Sequence, residues 1–168
     1  MDAQGLDSIT TLVCNRFANK YTRHTRGAIL LAPPGSGKTT YVRQQPPEAC
    51  HWVDQDELYS EIGLTWSDSE TDSSAFQAQY ERADRLSDKV RTYGFRVMGS
   101  LFWEYPADVV VLLPEAQHRA YVEQRTDLEW ARVAEIRKLL ADQAVEHGSP
   151  IFESLVEAVE WVNNNTCD

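Results

Sequence analysis

Ala28-Ile29-Leu30-Leu31-Ala32-Pro33-Pro34-Gly35-Ser36-Gly37-Lys38-Thr39-Thr40-Tyr41-Val42-Arg43-Gln44 is the stretch that decides the fold. Its first four residues form a short apolar run with the character of a buried strand, and Thr39 to Gln44 begins a helix. Between them, Gly35 and Gly37 let the backbone curl so that successive N–H groups point inward at a helix N-terminus, which is a concavity suited to phosphate oxygens. Gly35, Ser36, Gly37, Lys38, Thr39 and Thr40 would build that cradle. Lys38 would reach the β- and γ-phosphates, and the Thr39 hydroxyl would serve Mg²⁺. Pro33 and Pro34 cost no needed donors if the cradle starts at Gly35, and they stiffen the approach to it. A surface turn that happens to contain Gly-Lys-Thr is the competing reading; the strand before and the helix after favour a nucleoside triphosphate site.

Five apolar runs alternate with helical patterns along the 168 residues. Ile9, Val13, Phe17 and Tyr21 recur every four residues and predict an amphipathic helix over about 6–22, closed by Arg26-Gly27. Strands are expected at 28–31, 51–53, 95–98, 109–113 and 151–152. Helices are expected at 57–62, 74–93 and 114–147, the last interrupted near Thr126-Asp127, with a closing helix at 155–162 and a frayed polar tail over 163–168. Val109-Val110-Val111-Leu112-Leu113 has the unbroken hydrophobicity of a strand buried on both faces. The pattern predicts an α/β three-layer sandwich with a five-stranded, mostly parallel sheet, in one domain spanning 1–168.

Charge is uneven. Residues 1–50 hold six Lys/Arg against three Asp/Glu, and residues 51–168 hold ten against twenty-three. The chain's net charge of −10 disfavours extended nucleic-acid binding, which needs a basic face. Arg16, Lys20, Arg23, His24 and Arg26 form the one basic cluster, best read as a solvated helix end. Three widely spaced cysteines, no signal pattern over 1–11 and no apolar stretch near 20 residues predict an intracellular, cytoplasmic protein that does not enter a membrane.

In open α/β sheets, ligands bind at the carboxyl ends of strands. Asp54 and Asp56 fall at the end of the second strand, and alternation along an extended segment would turn both carboxylates to one side. One would hold Mg²⁺ and the other would take the proton of an attacking hydroxyl. The alternative is a turn with Asp56 as the cap of the following helix.

This layout resembles the P-loop kinase superfamily, which includes shikimate, gluconate, polynucleotide and nucleotide kinases. Val53-Asp54-Gln55-Asp56-Glu57 is similar to the acidic motif at strand two of shikimate-kinase-like enzymes. The resemblance implies that Asp54 serves the metal and that Asp56 binds or activates the acceptor hydroxyl. Phe95 to Gly99 resembles a third strand ending in a substrate-facing glycine, and Leu113 to Arg125 a fourth strand leading to an arginine-bearing lid. Three departures stand out. Ala32 replaces the first loop glycine, the acidic motif is followed by Tyr59 and Glu61 rather than an anchoring arginine, and Gly99-Ser100 replaces a glycine pair.

Arg125, Arg132 and Arg137 lie where such kinases carry the lid. Arg125 is the first candidate for stabilising the transferring phosphoryl group or stacking on adenine; solvated helix faces with local ion pairs are the alternative. Trp66, Trp103 and Trp130 are candidates for base stacking or ordinary packing, Trp52 and Trp161 are expected in the core, and no histidine is given a catalytic role. The expected activity is transfer of the γ-phosphoryl group of Mg²⁺·ATP to a small acceptor: a nucleoside, a nucleotide or another hydroxyl-bearing metabolite. A 5′-hydroxyl polynucleotide kinase and a nucleotide-hydrolysing switch are the alternatives. No Asn-Lys-x-Asp segment supports GTP.

Overall fold

The computed structural model describes residues 3–63, 74–100 and 105–166. Trp66, Trp103 and all but the last residue of the loop expected at 65–74 lie outside them. The described elements, in chain order, are α1 (Ala3–Phe17), β1 (Ala28–Leu31), α2 (Lys38–Gln44), a 3₁₀ turn at Pro47–Ala49, β2 (Trp52–Asp54) and α3 (Gln55–Glu61). They continue with α4 (Ser74–Thr92), β3 (Arg96–Gly99), β4 (Val109–Val111), α5 (Glu115–Glu123), α6 (Trp130–His147), β5 (Ile151–Phe152) and α7 (Leu155–Thr166).

The strands form one sheet in the order β2-β3-β1-β4-β5, and every pairing is parallel. Strand β1 is central, with Ala28 opposite Arg96 on one side and Leu30 opposite Val109 on the other. Its side chains alternate between two cores. Ile29 and Leu31 pack with Val13, Phe17, Leu86, Val90 and Leu140, from α1, α4 and α6. Ala28 and Leu30 pack with Ala158, Val159 and Val162 of α7, with Tyr41 and Val42 of α2 beside them. Apolar residues on both faces of a strand demand cover on both faces, and helices supply it. No helix among the described residues is long and apolar enough to cross a membrane.

The end of α1 and the tail of the chain differ from expectation. Helix α1 stops at Phe17 rather than near 22, because Asn19 and Lys20 donate their N–H groups to carbonyls three residues back, those of Arg16 and Phe17, and tighten the chain into a turn. That turn carries the Tyr21 ring edge-on to Phe17, at 5.3 Å between centroids, and lets its hydroxyl donate to Glu57. The expected frayed tail is helical through Thr166: Asn165 donates to the Trp161 carbonyl, and Asn163 accepts from Arg96.

At the end of the sheet where β2 and β3 begin, the rings of His24 and His51 meet at a tilt of 43°, with centroids 5.3 Å apart. Burial pushes the His24 pKa down to about 4, helped by the charges of Arg96 and His51; burial and Arg96 lower that of His51 as well. A histidine titrates near 6.5 in the unfolded chain, so the unfolded state binds the proton first as pH falls. The stability the neutral His24 ring contributes is complete above pH 6.5 and is lost as pH falls toward 4. Melting temperature should therefore decline between pH 6.5 and 5, and His24→Gln should flatten that decline; an unchanged slope would refute the assignment.

Candidate functional site

A cleft of about 780 Å³ opens at the carboxyl edge of the sheet. Three segments enclose it. The first is the glycine-rich loop and the start of α2, with Gly35, Gly37, Lys38, Thr39 and Thr40; the second is the end of β2 and α3, with Asp54, Gln55, Asp56 and Tyr59. The third is the α5–α6 connection and the start of α6, with Arg125, Asp127, Arg132 and Val133. Gly99, Ser100 and Tyr80 complete the floor. The sequence thus places Lys38, Thr39, Asp54, Asp56 and Arg125 about one cavity.

The loop geometry follows from its glycines. Gly35 and Gly37 have φ of 82° and 89°, a region that side chains with a Cβ avoid. A Cβ on Gly35 would lie 2.9 Å from Val122 of α5, whereas one on Gly37 would meet nothing within 4 Å. The loop is packed from behind at Gly35 and open to the cleft at Gly37. Ser36 is buried, and its hydroxyl has no partner. The short helix begins one residue earlier than expected, at Lys38, with Gly37 as its cap.

Lys38 is buried, and its ammonium donates to the Ala32 carbonyl at 2.6 Å and the Pro33 carbonyl at 3.1 Å. Burial pushes its pKa down to about 8; Asp54 and Asp56 pull the other way, and Arg125 adds to the lowering. An amine with this titration point sits where small changes in nearby charge alter its protonation.

Asp54 and Asp56 reach the cleft by a different route from the one alternation suggests. Strand β2 ends at Asp54, and α3 starts at Gln55. Asp54 is itself the N-cap: its Oδ1 accepts from the Asp56 backbone N–H at 3.1 Å. Asp56 is a helical residue of the first turn, exposed to the cleft, rather than the next outward residue of a strand or a cap. A carboxylate within a strand–helix junction satisfies an orphan N–H with one oxygen, and that bond overrides the extended geometry two residues on. The second Asp54 oxygen leaves capacity to hold an ion or a water.

Gln55, between the two acids, is buried against β3. A Cβ on Gly99 would lie 2.0 Å from its Oε1 and 2.6 Å from its Cδ. The glycine at the end of β3 therefore makes room for the Gln55 amide. We expect Gly99→Ala to fold with a lower melting temperature and to turn the Gln55 amide out of its place against β3. A crystal structure of the variant with Gln55 unmoved would refute this role.

Arg125 lies on the cleft wall with its guanidinium paired to Asp127, at 2.9 Å from Nε to Oδ1 and 2.6 Å from Nη2 to Oδ2. Hydrogen bonding from Arg125 holds the Asp127 carboxyl below the usual carboxylate range. Arg132 also faces the cleft, but Arg137, the third candidate, is absent from its walls. Arg137 instead donates to Nδ1 of His118, whose Nε2 lies 2.8 Å from the Pro34 carbonyl. His118 is wholly buried, and burial lowers its pKa, with Arg137 and Lys38 adding to the effect and the Pro34 bond opposing it. Trp130 is not among the residues lining the cleft; its ring and that of His118 meet edge-on, at 5.7 Å between centroids. Trp52 is buried as expected, and Trp161 is partly buried against Phe152.

Sequence reasoning did not single out Gln55, His118 or Tyr80. For His118 a signal existed: it stands four residues before Val122 on the buried stripe of α5, where a polar ring needs partners. No group of three or more His, Cys, Asp or Glu suited to a metal occurs among the described residues. The chain matches no protein-family model and no curated protein.

Proposed function

We propose that the protein is a P-loop kinase that transfers the γ-phosphoryl group of Mg²⁺·ATP to a small hydroxyl-bearing acceptor. The observation that carries this reading is the single cleft that brings Lys38 and Thr39 together with Asp54, Asp56, Arg125 and Arg132. Such a site joins a cradle for phosphates, two carboxylates and two guanidinium groups, the groups phosphoryl transfer requires.

The donor set fits Mg²⁺. This hard ion takes few protein ligands and keeps waters and phosphate oxygens around it, so the Thr39 hydroxyl and one Asp54 oxygen suffice without a three-carboxylate cluster. Bound there, the ion would neutralise charge on the β- and γ-phosphates. The open side of Gly37 and the unpartnered Ser36 hydroxyl suit a phosphate-binding backbone.

In the reaction, a bond forms between the acceptor oxygen and the γ-phosphorus as the bond to the β–γ bridging oxygen breaks, releasing ADP. Asp56 takes the hydroxyl proton. Lys38 leaves the Ala32 and Pro33 carbonyls to neutralise phosphate charge, and Arg125 exchanges Asp127 for the transferring group. Tyr59 and Tyr80, whose rings meet edge-on at 6.2 Å, border the side of the cleft next to Asp56 where the acceptor would lie.

The test is ADP release from Mg²⁺·ATP across nucleosides, nucleoside monophosphates, small alcohols and 5′-hydroxyl oligonucleotides. A small acceptor should stimulate release with little salt dependence. Steep loss with ionic strength on oligonucleotides alone would point to nucleic-acid ends, and release indifferent to every acceptor would point to a hydrolytic switch.

A further inference from the structure

The phosphoryl-transfer reading makes no use of His118, yet this ring joins the glycine-rich loop to the segment that carries the cleft arginines. It is wholly buried, with Nε2 2.8 Å from the Pro34 carbonyl oxygen and Nδ1 2.8 Å from Nη1 of Arg137. A guanidinium only donates and a carbonyl only accepts. The ring is therefore the neutral Nε2–H tautomer, accepting from Arg137 of α6 and donating to Pro34. Trp130 packs against the ring edge-on, and the Arg137 guanidinium lies 6.0 Å from the Trp130 ring centroid.

What hangs on the Pro34 bond is the shape of the loop. Proline has no N–H, so Pro33 and Pro34 can be held through hydrogen bonds only at their carbonyls. Lys38 holds the Ala32 and Pro33 carbonyls, and His118 holds that of Pro34. When the Lys38 ammonium turns to a phosphate, the Ala32 carbonyl loses that donor and the Pro33 carbonyl keeps only the Ser36 N–H, at 3.3 Å, while the bond from His118 persists. The same ring lies 3.5 Å from where a Cβ on Gly35 would stand, so α5 backs the loop at two successive residues.

We propose that His118, with its tautomer set by Arg137, is a positioning residue that keeps the loop in its phosphate-binding shape while Lys38 changes partners. The proposal rests on the nucleotide reading above. It also assigns Arg137 a place outside the cleft, behind the loop.

The experiment is calorimetric titration of the unaltered protein, His118→Gln, His118→Leu, Arg137→Ala and the His118→Leu/Arg137→Ala pair with Mg²⁺·ATP. It is accompanied by melting curves and imidazole ¹⁵N spectra. The unaltered protein should show the Nε2–H tautomer. His118→Leu and Arg137→Ala should each weaken binding roughly five- to tenfold, the size of one net hydrogen bond, with no further loss in the pair. His118→Gln, which keeps a donor and an acceptor, should bind within about twofold of the unaltered protein by the same reasoning. Arg137→Ala should admit the Nδ1–H tautomer. Equal binding by His118→Leu, or no advantage of Gln over Leu, overturns the proposal, as does an Nδ1–H ring in the unaltered protein. Should His118→Leu fail to fold, Arg137→Ala and His118→Gln still decide it. Absence of Mg²⁺·ATP binding by the unaltered protein would sink the nucleotide reading itself and the proposal with it. Binding by the unaltered protein that the variants share in full would sink the proposal alone.

Discussion

Lys38→Ala is expected to fold, to bind Mg²⁺·ATP weakly and to lose at least ~10²–10³-fold in turnover, the range for removing one preorganised donor from a developing charge. Folding should survive because the ammonium bonds only two loop carbonyls, and its removal leaves the two cores that flank the sheet untouched. The loss of turnover should be large because Lys38 is the buried cation of the cradle, and buried charges act in a low effective dielectric. A second measurement isolates the ammonium from mere packing. Its pKa is held at about 8, so the unaltered protein carries the charge below that point and loses it above. Mg²⁺·ATP affinity should fall as pH rises through about 8, and Lys38→Ala should lack that inflection. An affinity independent of pH from 7 to 9.5 in the unaltered protein would show that Lys38 does not meet the phosphates.

Asp56→Asn should separate binding from chemistry. The side chain is exposed in the first turn of α3, and its backbone N–H, rather than its carboxylate, makes the capping bond to Asp54. An amide of the same shape therefore leaves the cap and the fold intact but accepts no proton at neutral pH. We expect unchanged Mg²⁺·ATP affinity and a drop in phosphoryl transfer of ~10²–10⁴-fold, the usual worth of general-base catalysis. Asp54→Asn should behave differently, weakening nucleotide binding at limiting Mg²⁺ because it alters the metal-holding oxygen. Normal turnover by Asp56→Asn would remove it as the base and leave Asp54 as the next candidate.

Much of the architecture was legible because buried parallel strands advertise themselves. Ala28–Leu31 and Val109–Val111 are short apolar runs that no amphipathic helix would carry, and both are strands. The interruption expected near Thr126-Asp127 is the connection between α5 and α6. The helix ends were less legible, since they turn on single side-chain bonds such as Asn165 to Trp161. Within the cleft, the residue types of the loop and the acidic motif pointed to Lys38, Thr39, Asp54 and Asp56, but their local geometry did not follow from spacing. Asp54 rather than Asp56 caps α3, because the helix starts at Gln55, directly after the strand and two residues earlier than its pattern suggests. The Arg125–Asp127 fork joins residues two apart in an irregular segment, where no period predicts a meeting. Gln55 against Gly99 and His118 against Pro34 join residues 44 and 84 positions apart, a kind of contact that local pattern does not encode.

The order β2-β3-β1-β4-β5 has a consequence for the newborn chain. Strand β1, the most apolar segment near the start, finds its first partner at Arg96–Gly99 and its second at Val109–Val110. At about 5–20 residues per second, a ribosome needs several seconds to supply them. Through that interval Ala28–Leu31 is a naked sticky edge, and the loop that follows it has no scaffold. Long-range parallel pairing is also slow to nucleate. A host cell that overproduces this protein should accumulate it in inclusion bodies at high synthesis rates, and slowing translation or cooling the culture should raise the yield of folded chain.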